Sequence, residues 1–239
     1  TVVNDFANLF NNSFIGNTSL TSVSISDSVT SIGQYAFRFC ENLNTVSIGN
    51  SVTSIGRNAF ESCANLTSVS IGNSVNSIGN YAFYDCKKLT SVSFGNSVSY
   101  IGDFAFSYCD NLKSVSIGNS VTYISYAVFS NCKNLKSVSI GNSVTSIDNR
   151  AFEYCNALTS FTCLATTPPI LSSRTFAGDW QSNCDLYVPE SALSAYRNTT
   201  HWKDFRSVNA YTTYLSTTET KNNLLKVYPN PAKDHVVIS

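Results

Sequence analysis

Leu66-Thr67-Ser68-Val69-Ser70-Ile71-Gly72-Asn73-Ser74-Val75-Asn76-Ser77-Ile78-Gly79-Asn80-Tyr81-Ala82-Phe83-Tyr84-Asp85-Cys86-Lys87-Lys88 is the stretch that decides the fold. Val69-Ser70-Ile71 alternates apolar and polar with period two, which reads as a short strand. Gly72-Asn73-Ser74 reads as a turn, and Val75 to Ile78 as a second short extended piece. After Gly79 the inward residues Ala82, Phe83 and Cys86 change to helical spacing, where one short α- or 3₁₀-turn fits. A unit this small cannot bury its own apolar face, so it must stack on copies of itself.

Those copies are present. Cys40, Cys63, Cys86, Cys109, Cys132 and Cys155 are each 23 residues apart, and the text around them repeats. Six full units run from Leu20 to Ala157. Residues 1–19 read as a degenerate N-terminal partial repeat carrying Leu9 and Phe14, with Asn17 in the cysteine place. A seventh unit starts at Leu158 and drifts after Cys163, so residues 158–210 read as a degenerate repeat and C-terminal cap. The predicted fold is a solenoid of 23-residue rungs. Each rung has a strand in a parallel sheet, a second short strand and a short helical turn. With strands ~4.8 Å apart, six rungs span roughly 30 Å.

The pattern L-x-x-V-x-I-x-x-S-V-T-x-I-G-x-x-A-F-x-x-C-x-x-L resembles the BspA-like leucine-rich repeat family, over about residues 9–176 and, with the cap, to about 210. The resemblance implies a mostly β, horseshoe-like leucine-rich repeat solenoid. It also implies a bacterial cell-surface or secreted protein that works by adhesion.

In the cap, Pro168-Pro169 breaks the turn after the strand. Leu186-Tyr187-Val188 reads as one more strand, and Pro189 to Arg197 as a helix with proline near its first turn. Trp202, Phe205 and Val208 are spaced to fold back as a plug over the last rung. Residues 211–225 are polar and aperiodic and read as a linker. Lys226-Val227-Tyr228-Pro229-Asn230-Pro231-Ala232 opens a segment, 226–239, that resembles the truncated start of a type IX secretion sorting domain. That likeness implies export across an outer membrane. The absence of Met at Thr1 leads to the expectation that the chain is a segment of a longer one.

Composition narrows the function classes. The 239 residues carry 15 basic and 15 acidic side chains, so the formal charge is zero. Charged residues are 13% of the chain, while serine alone accounts for 38 positions. Nucleic acid is not an expected partner, because binding it needs a concentrated cationic face. No stretch approaches the ~18 apolar residues of a membrane span, so no membrane insertion is expected.

Eight cysteines invite a disulfide framework. Equivalent side chains on stacked rungs, however, point the same way with Cβ atoms ~4.8 Å apart, whereas a disulfide needs ~3.8 Å. The six cysteines in register therefore read as a structural ladder of thiols filling the core. Cys163 and Cys184 fall on what could be adjacent rungs, and a bond between them stays open. With no CxxC and no histidine in the repeats, no metal site and no cofactor is expected. His201 and His235 are the only histidines, and no converging nucleophile, base and acid can be picked out, so the chain is not expected to be an enzyme.

Outward positions are left to carry function. On the main strands they form a hydroxyl ladder that includes Ser91, Ser93, Ser114 and Ser116. Tyr100 and Tyr123 stand in neighbouring rungs where other units have serine, and Lys113 and Lys136 stand where most have threonine. On the third part of the rung, Tyr35, Phe39, Tyr81, Tyr84, Phe104, Tyr108, Tyr126 and Tyr154 are outer residues. They suit either packing between rungs or contact with a partner. From these, Tyr100, Tyr123, Lys113, Lys136, Tyr108, Tyr126 and the four serines are the candidate binding residues. The reading is a monomeric surface protein that binds an extracellular-matrix or other cell-surface protein by many weak contacts. Alternatives are capture of a glycan or nutrient, and a structural spacer that presents another domain.

Overall fold

The structure, a computed structural model, describes residues 2–3, 11–178 and 180–212. The main strands form one parallel sheet of ten, in chain order: Val2–Val3, Ser22–Ile25, Thr45–Ile48, Ser68–Ser70, Ser91–Ser93, Ser114–Ile117, Ser137–Ile140, Ser160–Cys163, Asp185–Pro189 and Ser207–Tyr211. Register follows the 23-residue period, with Val23 beside Val46, Val46 beside Val69 and Val115 beside Val138. A one-residue slip would turn every valine to solvent, so the alternation fixes the register.

Second strands form a second side. Ser31–Ile32, Ser54–Ile55, Ser77–Ile78 and Tyr100–Ile101 make a four-stranded sheet, and Tyr123–Ile124, Ser146–Ile147 and Ile170–Leu171 a separate three-stranded one. The interruption falls between the fourth rung, Leu89 to Asn111, and the fifth, Leu112 to Asn134.

The third side refines the helical turn that the spacing predicts. Alternate residues bond back three positions, as Ala36 N–H to Gly33 O and Arg38 N–H to Tyr35 O. The residues between them donate to the next rung instead: Tyr35, Phe37 and Phe39 to the carbonyls of Arg57, Ala59 and Glu61. No helix propagates, because every second amide is committed to the neighbour. This requires two left-handed residues per rung, at Tyr35 and Phe39, Asn58 and Ser62, Tyr81 and Asp85, Phe104 and Tyr108, Ala127 and Asn131, and Arg150 and Tyr154, all with φ between 50° and 61°. Few of these are the glycine or asparagine that favours this conformation, so the rung-to-rung ladder holds them there.

Between the three sides runs one continuous core of stacked columns. Phe14, Phe37, Phe60, Phe83, Phe106, Phe129 and Phe152 lie face to face, neighbours 5.1–5.7 Å apart and within 13° of parallel. Leucine, valine, isoleucine and alanine columns surround them. The N-terminal partial repeat supplies the Val2–Val3 strand beside Ser24 and Ile25, and a third-side segment in which Phe14 N–H donates to Ala36 O. Leu9 lies outside the described residues.

The cap contains the predicted strand, at Asp185–Pro189, and the predicted helix, as a 3₁₀ turn at Glu190–Ala192 followed by Leu193–Asn198. Trp202 and Phe205 are buried in a ring cluster with Phe161, Phe176, Trp180 and Tyr196. Val208 does more than plug the end: it belongs to a strand absent from the sequence reading, Ser207–Tyr211, which pairs along Asp185–Pro189. Tyr211 is therefore the end of the cap rather than the start of a linker. Residues 213–239, including the segment that resembles a sorting domain, lie outside the described residues.

Candidate binding surfaces

The rung geometry distributes the candidate residues over different sides. Ser91, Ser93 and Ser114 are exposed on the main sheet, and Ser116 is partly covered there. Ser93 Oγ donates to Ser70 Oγ at 3.2 Å, so the hydroxyl column is partly bonded to itself. Lys113 and Lys136 are exposed at the corner leading into the main strand, where their amides bond to Thr90 O and Lys113 O.

Tyr100 and Tyr123 lie on the second side, one on each flank of the sheet interruption, with 46% and 42% of their surface exposed. Their hydroxyls turn away from each other. Tyr100 donates back to Asn80 Oδ1 at 3.2 Å, and Tyr123 donates forward to Asp148. Burial, and next the bond to Asp148, push the Tyr123 phenol up to about 12.

Tyr108 and Tyr126 belong to the third side, within a connected strip of rings that the sequence reading left undivided. Tyr81 stacks on Phe104 at 4.8 Å, and Phe104 meets Tyr126 edge-on at 5.1 Å. Tyr84 touches Tyr81 at 5.6 Å and Tyr108 at 5.5 Å. Arg57 and Arg150 approach the two ends, each 5.9 Å from the ring of Tyr81 or Tyr126. The rings cover one another only in part: Tyr108 is 39% exposed and the other four are half-buried. The outward columns of the third side, read one rung against the next, were the signal that could have isolated this strip from Tyr35, Phe39 and Tyr154. A smaller cluster sits at Phe39, where Arg38 lies 4.3 Å over the ring while pairing with Glu61.

The eight cysteines are free and buried. Each ladder thiol donates to the phenylalanine carbonyl of the preceding rung, Cys63 to Phe37, Cys86 to Phe60 and Cys109 to Phe83, at 3.2–3.3 Å. Burial pushes these thiols well above their ordinary value, to about 12 at Cys155. The open question of Cys163 and Cys184 is answered by register. Ser160 pairs with Asp185 and Thr162 with Tyr187, so the two cysteines are offset by four residues, ~13 Å along the strands, beyond the reach of a disulfide. Cys163 Sγ meets Tyr196 Oη at 3.0 Å instead.

The family model of the BspA type leucine rich repeat region matches residues 7–136 and 53–183, most of the chain. The chain belongs to the BspA-type leucine-rich repeat family. Among solved structures, it is 31% identical to a leucine-rich repeat protein of T. pallidum, covering 63% of this chain and 71% of that one, with a TM-score of 0.55. A leucine-rich repeat protein of Bacteroides ovatus is 22% identical over 87% of this chain and 65% of its own, with a TM-score of 0.58. The pneumococcal vaccine antigen PcpA is 15% identical over 82% and 69%, with a TM-score of 0.55. The last two show the fold that this BspA-type repeat shares. No curated protein matches the sequence.

Proposed function

We propose that this BspA-type solenoid is displayed outside the cell and binds another protein, of an extracellular matrix or a cell surface, along its third side. The observation that carries this is the strip of Tyr81, Tyr84, Phe104, Tyr108 and Tyr126. Repeat stacking accounts for the buried phenylalanine column, but it does not require aromatic rings on the outer surface of three successive rungs. Half-exposed tyrosines offer rigid contact area and a hydroxyl at little entropic cost. The near absence of net charge argues for contacts won by shape and area rather than by electrostatic steering. The pneumococcal neighbour is named as a vaccine antigen, which agrees with an exposed location.

The test is saturable binding of residues 1–212 to immobilised matrix proteins. Replacing Tyr84, Tyr108 and Tyr126 together by Ser should weaken that binding at least ~10-fold, about 1.4 kcal/mol, with the melting temperature as a control on folding. A second variant changes Tyr100 and Tyr123 to Ser and Lys113 and Lys136 to Thr, the residues held by other rungs. Loss of binding in this variant alone would move the site off the third side. Binding to a polysaccharide array, and to no protein at micromolar levels, would favour the glycan reading, for which a strip of ring faces is also suited.

A further inference from the structure

The boundary between the fourth and fifth rungs is built differently from every other one among the described full rungs. On the main sheet the register narrows to a single pair, Ser114 beside Ser91, where the fifth and sixth rungs pair over four residues. On the second side the sheet stops. The amide bonds that join Thr53 to Thr30, Asn76 to Thr53, Ser99 to Asn76 and Thr145 to Thr122 have no counterpart from Thr122 to Ser99. Gly56, Gly79, Gly102 and Asp148 donate N–H to the isoleucine carbonyl of the preceding rung, whereas Ser125 reaches Ile101 O through its hydroxyl. At the corner between these sides, Ser120 Oγ donates to Asn96 O.

The spacing opens accordingly. A Cβ added at Gly49, Gly72, Gly95 or Gly141 would come within 2.3–3.2 Å of the rung before it, while one added at Gly118 would meet nothing within 4 Å. Two departures from the repeat lie on the loosened sides. Phe94 takes the place of the isoleucine found at Ile25, Ile48, Ile71, Ile117 and Ile140, and its larger ring, edge-on to Phe106 at 5.5 Å, is only partly buried. Ser125 takes the place of Gly33, Gly56, Gly79 and Gly102, where a Cβ at the last three would lie 2.3–2.7 Å from the preceding rung. Asp148 carries a Cβ at the same place and keeps its amide bond, so we infer that Ser125 opens the boundary only in combination with Phe94.

The third side, by contrast, is intact. Phe104, Phe106 and Tyr108 donate to the carbonyls of Tyr126, Val128 and Ser130 at 2.9–3.0 Å, and Cys132 Sγ to Phe106 O at 3.2 Å. One side continuous and two sides loosened is the geometry of a hinge. We propose that the solenoid bends here, about the third-side ladder, with the rungs before Asn111 and after Leu112 moving as two stiff bodies.

The test uses nitroxide pairs three rungs apart, ~14 Å between their backbones. Thr30→Cys with Ser99→Cys stays within one body; Asn76→Cys with Thr145→Cys crosses the boundary. All four positions are exposed. The native thiols are buried, so brief labelling near neutral pH is selective. Dipolar broadening should report a distance distribution at least about twofold wider for the crossing pair. Adding Phe94→Ile with Ser125→Gly, which restores the residues of the other rungs, should narrow it to that of the control pair. Equal widths in the unreverted chain would overturn the hinge. A width unchanged by the reversal, with the fold intact by circular dichroism, would overturn its assignment to these two residues.

Discussion

Raising the pH should unfold the solenoid through its cysteine column. Cys63, Cys86, Cys109, Cys132 and Cys155 have no solvent exposure, and burial raises the pKa of each. In the unfolded chain they ionise near the ordinary ~8.5. A group whose folded pKa is raised contributes its full stability below the unfolded value and loses it as pH rises towards the folded one. One pH unit above ~8.5 the loss is about 1.4 kcal/mol per thiol, or about 7 kcal/mol for the five, and each further unit removes a similar amount. Domains of this kind are stable by about 5–15 kcal/mol, so unfolding is expected near pH ~10. The assay follows thiolate absorbance at ~240 nm and far-ultraviolet circular dichroism in the same titration, with a reductant present. Both should change together in one steep transition, and replacing Cys86 and Cys109 by Ala should make it less steep, because unfolding then releases fewer protons. Thiolate signal rising gradually from pH ~8.5 while the circular dichroism stays native would refute the reasoning, because the thiols would then be ionising inside the folded solenoid.

Three further outcomes are expected. Phe83→Ala removes a fully buried ring stacked at 5.1 Å on both Phe60 and Phe106, and should cost ~3–5 kcal/mol in denaturant unfolding. Gly95→Ala places a Cβ 2.3 Å from Gly72 O, whereas Gly118→Ala places one in open space; thermal melts should show a loss of over ~1 kcal/mol for the first and a change within ~0.5 kcal/mol for the second. Tyr196→Phe removes the hydroxyl that donates to Ala165 O at 2.9 Å beneath the cap, and the stranded carbonyl should cost ~1–3 kcal/mol, read as earlier fraying of the C-terminal strands in hydrogen exchange.

Much of this architecture was legible because a stacked fold repeats its constraints. Val69, Ile71, Phe83 and Cys86 each occupy a column, so the period alone located the core and the parallel register. What escaped the reading was decided between rungs. Left-handed backbone at Tyr81, Tyr108 or Arg150 has no local signature, since the cause is an amide committed to the next rung. Phe94 and Ser125 look like ordinary drift until the glycines beside them are seen to lie within a few ångströms of the preceding rung. The Ser207–Tyr211 strand lacks the repeat text and exists because Asp185–Pro189 offers it an edge. The candidate site was legible as a set of outward tyrosines. The repeat positions already divide them between the second and third parts of the rung; which third-side rings join into one strip follows from which ring reaches which neighbour, and that distance is set by rung stacking.

The direction of the third-side hydrogen bonds bears on how such a chain ends. Amides there point towards the following rung, as from Phe37 to Ala59, while the corner and second-side amides point back, as from Thr53 to Thr30 and Gly56 to Ile32. The ladder thiols also point back. Peptide dipoles along the axis therefore oppose one another, where in an α-helix they add to about half a charge at each end. A terminal rung presents donors and acceptors side by side and no net pole. Rungs can be added or lost without an axial electrostatic penalty that grows with length, and the ends need covering only for their apolar columns and open edges.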